Sequence, residues 1–210
     1  IVFGDWSSDV CSSDLFNEHR RDLSMPRFLA MLDELRGSLE AETAYCDVHF
    51  PYFIEKSAPV SKQKGMMSYE CSYEGSSSAS GREFWVSVQV PVQTVCPCSK
   101  AISEYGAHNQ RGLVKVRVKL GPFFWIEDIV SIVERSASSD VYTLLKREDE
   151  KYVTERAFDN PMFVEDVVRE VYTELLSIGT FPRFSVEAEN FESIHNHSAY
   201  ALVEHESGSD

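Results

Sequence analysis

Cys96 and Cys98 flank a single proline, His108 follows twelve residues on, and the late stretch FESIHNHSAY adds Glu192, His195 and His197. Thiolate, imidazole and carboxylate are the donors of catalytic zinc sites, in which the metal keeps one position for a water it activates. On an extended backbone Cys96 and Cys98 would face the same way, and their spacing is shorter than that of structural zinc knuckles. Two ordinary core cysteines are the plainer alternative. Pro97 and the polar residues around the pair weaken it, because a buried cysteine normally has apolar neighbours. One cysteine is therefore expected as a ligand, the other as a supporting or redox-sensitive thiol. A lone histidine in a polar loop, such as His108, is ordinarily solvent-exposed, so its claim rests on its company.

On a strand, His195 and His197 would share one face, with Ile194 and Asn196 on the other. Phe191, Ile194, Ala199 and Leu202 imply partial burial, and a buried histidine or glutamate needs partners that a metal can supply. Glu150 lies in LLKREDEK, where alternating charges read as a solvated face. Glu165 sits one turn into a helix opened by Pro161, beside Phe163, Val164 and Val167, on or near the buried side. A buried carboxylate requires a dedicated partner, and a purine N–H edge is one.

The elements that must position these groups follow from periodicity. Ser24 can cap a helix with Pro26 in its first turn and Phe28, Leu29, Leu32, Leu35 and Leu39 on one face. Strands are expected over Thr43–Ile54, with a bend or edge at Pro51, and over Met66–Tyr73. EGSSSASG (74–81) reads as a flexible hairpin loop, and Phe84 to Val90 alternates as a half-buried strand. Val114, Val116, Val118 and Leu120 alternate with Lys115, Arg117 and Lys119, a strand with one core face and one basic face, broken by Gly121-Pro122. A helix is expected over Trp125–Arg135. A second runs from Asn160-Pro161 to Gly179, burying Phe163, Val164, Val167, Val168, Val171 and Leu175. Phe184 to Ala188 and Ile194 to Val203 are the last strands. Strands with helices on one face imply an α+β fold built on antiparallel sheet.

The chain has 210 residues, 43% of them hydrophobic, enough for a real core, and a formal charge of −14. Such an acidic balance argues against nucleic acid or an anionic membrane as main partner. No apolar run approaches the roughly 18 residues of a membrane span, and no secretory leader is recognisable. Cys11, Cys46, Cys71, Cys96 and Cys98 form no disulfide framework, which points to a reducing, cytoplasmic setting. GDWSSDVCSSDL (4–15) has Ser/Asp/Cys low-complexity character and resembles translated sequencing adapter. Trp6 and Cys11 are therefore given no functional weight.

CPCSKAISEYGAHNQRG, NPMFVEDVVREVY and ENFESIHNHSAYA together resemble the prokaryotic type IB GTP cyclohydrolases, of the tunnelling-fold (T-fold) superfamily. The resemblance runs from about Ser24 onward. It implies metal-dependent hydrolytic opening of the guanine imidazole ring of GTP. The products are 7,8-dihydroneopterin triphosphate and formate, at the entry to folate synthesis and deazapurine tRNA modification. Carried onto this chain, Cys96 matches the essential metal-site cysteine, and Glu192 and His195 match an E-x-x-H metal motif. His108 and Glu150 match further metal-site residues, and Glu165 matches the glutamate that anchors the purine. Cys98 is a supporting thiol. Zinc or manganese is implied, with no organic cofactor. Cys96 and His108 would carry catalysis, His108 moving a proton. Lys100, Arg111, Lys115, Lys146 and Arg147 are candidates for the triphosphate.

The resemblance also implies a homotetramer with active sites between subunits. It implies two tandem T-fold modules, 16–95 and 96–206, the first N-terminally incomplete, between a non-native or disordered segment 1–15 and a tail 207–210. Two rivals remain. The T-fold nitrile reductase of queuosine synthesis uses a nucleophilic cysteine and NADPH and needs no metal; the Cys-Pro-Cys segment and the Glu192–His195 pair argue against it. A non-catalytic, metal-stabilised module would unfold on metal removal and turn over no GTP.

Overall fold

The computed structural model describes residues 24–119, 121 and 124–207. The adapter-like segment 1–15, Leu120, Pro122 and most of the 207–210 tail lie outside the described residues. In chain order the elements are α1 (Met25–Ser38), β1 (Thr43–Ser57), β2 (Lys64–Ser78), β3 (Gly81–Val95), α2 (Pro97–Ile102) and β4 (Asn109–Lys119). There follow α3 (Ile126–Arg135), β5 (Ser139–Asp140), α4 (Arg147–Asp159), α5 (Val164–Ile178), β6 (Arg183–Phe191) and β7 (Ser198–Glu206). The strands form a seven-stranded sheet of order β1-β2-β3-β4-β6-β7, with β5 paired to β3. These residues fall into two compact units, 24–49 with 72–86, and 50–71 with 87–207.

In the first unit, α1 buries Phe28, Met31 and Leu32, while Leu39 at its end is exposed. The Ser24 carbonyl accepts from Phe28 N at 2.9 Å, but its side chain makes no cap hydrogen bond. The Phe28 ring meets Tyr73 and Phe84 edge-on, with centroids 6.0 and 5.5 Å away. Residues 74–78, expected as a flexible loop, belong to β2, and the turn is Ala79–Ser80 alone. The reason is packing: a Cβ at Gly75 would stand 2.6 Å from the Phe28 ring and 2.9 Å from Leu32. Buried Ser77 donates to Asp33, which also pairs with Arg82. Glycine and serine serve here as thin strand residues beneath a helix.

In the second unit, β4 pairs antiparallel with β6 from Gly112↔Asn190 to Val118↔Phe184, and β6 pairs antiparallel with β7. Val114, Val116 and Val118 are buried, as are Phe184, Val186 and Ala188 on β6. The alternation thus sends one face of each strand inward. Helix α5 buries Val164, Val167, Val168, Val171 and Leu175, packs on β6, β7 and α3, and ends at Gly179 in the left-handed conformation (φ 68°). The fold is α+β, an antiparallel sheet with helices on one face.

Three expectations change. Phe163, expected on the buried side of the second helix, is the exposed residue just ahead of α5. The charged run from Lys146 is helix α4, whose inward side is small: Asp149, Val153 and Ala157. The last strand begins at Ser198, so residues 192–197 form a bend and not a strand. Among the described residues no helix is long and apolar enough to cross a membrane.

Candidate functional site

Where β3 ends, Cys96 becomes the N-cap of the short helix α2, with Pro97 at its first position. Its Sγ accepts from Ser99 N at 3.4 Å, and Ser99 Oγ donates to Cys96 O at 3.2 Å. The same hydroxyl accepts from His108 N at 3.2 Å, and Cys96 N donates to His108 O at 3.1 Å. Ser99 therefore closes the 96–108 loop on itself and holds the thiol beside the histidine backbone. Cys98 is exposed one residue into α2.

The His108 ring is held through one nitrogen. Its Nδ1 lies 3.0 Å from Oε1 of buried Gln110 and 3.3 Å from Ser193 Oγ. Ser193 belongs to the 192–197 bend, so this contact brings the cysteine loop and the E-x-x-H segment to one end of the sheet. The β4–β6 register makes the meeting possible: opposite Asn190, a Cβ at Gly112 would stand 2.7 Å from Oδ1 of that residue. In the bend Glu192 is half-buried, whereas His195 and His197 are exposed. Their rings stack at 5.1 Å with planes 19° apart. Phe191, Glu192 and the residues from His195 to Ser198 line an open depression. The expected burial of the two histidines is corrected, because a bend between strands has no second layer over it.

The start of α5 reaches the same end, since Met162 N donates to Val95 O at 3.1 Å. Glu165, expected on or near the buried face, is exposed instead. Helix α5 begins at Val164, and the stripe through Val164, Val167, Val168 and Val171 leaves position 165 about 100° off the core. In the first turn its carboxylate complements the helix dipole. Lys100 donates to the Phe158 carbonyl, with Nζ 4.3 Å from the centre of that ring. Lys115 pairs with Glu187 at 3.3 Å. Arg111, Lys146 and Arg147 are exposed. Glu150 is also exposed; it sits near the start of α4, about 12 Å along the helix from Phe158 at 1.5 Å per residue. One chain thus brings the 96–108 loop and the 192–197 bend to one sheet end, while Lys146, Arg147 and Glu150 open α4, whose Asp149 is bonded to the β1–β2 turn. Among the described residues no three His, Cys, Asp or Glu side chains converge closely enough to hold a metal ion.

Several polar residues escaped sequence reasoning. Asp149, fully buried, accepts from Val60 N, Ser61 N, Ser61 Oγ and Lys146 N at 2.6 to 2.9 Å. Burial alone would raise its pKa, but those hydrogen bonds, led by Ser61, outweigh it and hold the carboxyl well below the usual range. Lys56 reaches Glu134 at 2.7 Å, Asp140 at 3.0 Å and the Val141 carbonyl at 3.2 Å. Tyr69 donates to Glu134 at 3.0 Å, and Arg156 pairs with Asp140 at 3.2 Å. Burial raises the Glu134 pKa, opposed by Lys56. Buried Cys71 is a free thiol, pushed up to about 12 by desolvation. Apart from Lys146 N, three residues before Asp149, none of these partners is near in sequence, and no spacing rule exposes the long-range ones.

The architecture has solved counterparts. A uricase from Bacillus fastidious superimposes with a TM-score of 0.57 at 10% identity, over 97% of this chain and 75% of that one. The class is therefore α+β of tunnelling-fold-like architecture. The sequence is more specific. The profile described as Type I GTP cyclohydrolase folE2 matches residues 12–201. The GTP cyclohydrolase FolE2 of Syntrophus aciditrophicus is 54% identical over 193 residues, covering 92% of this chain and 76% of the relative. The GTP cyclohydrolase FolE2 of Citrifermentans bemidjiense is 51% identical over 192 residues, covering 91% and 71%. The chain belongs to the type I GTP cyclohydrolase folE2 family.

Proposed function

We propose that this chain hydrolyses GTP at the guanine imidazole ring, giving 7,8-dihydroneopterin triphosphate and formate, the first step of tetrahydrofolate biosynthesis. The family match over 12–201 carries the reading, because it spans every candidate site residue. T-fold superfamily membership and the two-module division at 95/96 belong to the same proposal.

Cys96, Glu192 and His195, with His108 and Glu150, are the residues that would hold zinc or manganese. The donor types suit such an ion, and the His108–Ser193 contact sets the thiol loop beside the E-x-x-H bend. When bound, the metal supplies Lewis acidity toward water and the ring being opened. His108, held at Nδ1, has the single nitrogen Nε2 to offer, either to the metal or to a proton in transit. Glu165 offers its carboxylate to the purine N–H edge, and its exposure leaves it open to substrate. Arg111, Lys146 and Arg147, all exposed, are the cations assigned to the triphosphate; Lys100 and Lys115 are already engaged. A homotetramer whose sites combine residues of neighbouring subunits belongs to the same proposal. Cytoplasmic residence would keep Cys96 and Cys98 reduced.

The test is release of formate and a fluorescent pterin from GTP by the purified protein loaded with Zn²⁺ or Mn²⁺. Activity should vanish with Cys96→Ala while the circular dichroism spectrum is unchanged. A folded, loaded protein that releases no formate overturns the reading.

A further inference from the structure

We infer that Gln110 is the positioning residue for His108: its buried amide oxygen accepts a hydrogen bond from Nδ1–H and so fixes Nε2 as the unprotonated ring nitrogen. The inference rests on His108 being the imidazole of the proposed site. A neutral imidazole carries one proton, and the hydrogen bond made by one nitrogen decides the state of the other. Here both ring contacts fall on Nδ1, from Gln110 Oε1 at 3.0 Å and Ser193 Oγ at 3.3 Å. The two are not equivalent. Gln110 is 7% exposed at the start of β4, in a strand whose register with β6 is fixed, while Ser193 is exposed in a bend. A buried amide oxygen left without a donor is costly, so the protein gains by presenting it an Nδ1–H. Ser193 then acts as a longer second partner that ties the ring to the Glu192–His195 bend. Histidines that bind metals or pass protons use this arrangement, one N–H donated to a fixed carbonyl or carboxylate and the other nitrogen free. Turning the amide over would reverse everything: its NH₂ would donate to Nδ1, and the proton would move to Nε2, blocking both roles.

Long-range ¹H–¹⁵N correlation spectra of metal-free, ¹⁵N-labelled protein at a pH where histidine is neutral read the tautomer directly, with His108→Gln to assign the signals. Wild type should show a protonated Nδ1 and an unprotonated Nε2. Gln110→Leu should shift the ring toward the Nε2–H form and weaken Zn²⁺ binding by about 10–100-fold in a chelator competition. Gln110→Glu, which keeps an acceptor, should restore the tautomer and most of the affinity; a merely structural role would predict no such rescue. A wild-type ring protonated at Nε2, or an unchanged tautomer in Gln110→Leu, overturns the inference. If Gln110→Leu fails to fold, the wild-type and Gln110→Glu spectra still decide. Absence of formate release with the Nδ1–H pattern intact would sink the cyclohydrolase reading alone.

Discussion

Two buried carboxylates show how differently the same chemistry can be used. Asp149 accepts four hydrogen bonds within 2.6 to 2.9 Å, two of them from backbone N–H groups of the β1–β2 turn. Its lowered pKa means the unfolded chain binds the proton more readily than the native one. Its contribution is therefore complete above the unfolded value near 4 and is lost as pH falls from there toward the native value. Asp149→Asn replaces an acceptor by a group that must also donate, and its urea midpoint at pH 7 should fall clearly below that of wild type. At pH 3 the gap should narrow, and an equal gap at both pH values would contradict the assignment. Glu134 is the opposite case: burial raises its pKa, and Lys56 compensates at 2.7 Å. Lys56→Met would leave Glu134 and Asp140 facing each other with one cation fewer, and breaking such a buried pair costs about 3–5 kcal/mol. Lys56→Met combined with Glu134→Gln should recover part of that loss in urea titrations, whereas additive losses would show the pair to be uncoupled.

At the scale of elements, β2 shows what a glycine can hide. Gly75 lies under α1 with room for no side chain, a methyl there standing 2.6 Å from a fully buried Phe28. Gly75→Val should cost about 1–3 kcal/mol through overpacking, seen as a lower urea midpoint; a wild-type midpoint would show that α1 can shift outward freely. The sequence concealed this because glycine and serine are read as loop formers, and only contact with a helix distant in the chain makes them a strand. Strand β4 and helix α5 could be read beforehand, because their buried valines recur at the periods of their own backbones. Helix α4 could not: it buries only Asp149, Val153 and Ala157, too sparse a stripe to rise above its charges. The site divides in the same way. Cys96, His108, Glu192 and His195 were readable as residue types in short motifs. Gln110 and Ser193 were not, since what matters is their distance to a ring, set by the pairing of β4 with β6. Glu165 was misplaced by one helical position, which moved it from the core side to solvent.

Whether metal is a structural necessity or a catalytic one can be argued from the molecule as a whole. The core of the larger unit consists of β4, β6 and α5 side chains, among them Val116, Val171 and Val186, each at most 1% exposed. It closes without any of the candidate ligands. His195 is exposed on a bend, Cys96 is an N-cap, and Glu150 lies on the outer side of α4. A protein stabilised chiefly by its metal would place those donors where the core depends on them, as small zinc modules do. Exhaustive chelation should therefore abolish formate release and leave the far-ultraviolet circular dichroism spectrum intact. Stability should fall only by the linkage contribution of a ligand that binds the native state, about 2.7 kcal/mol at a hundred times its dissociation constant, seen as a modestly lower melting temperature. Readdition of Zn²⁺ or Mn²⁺ should return activity without a refolding step. If chelation unfolded the chain, the metal-stabilised module would be the better description. If GTP turnover survived chelation, the assignment of Cys96, Glu192 and His195 as metal ligands would fail.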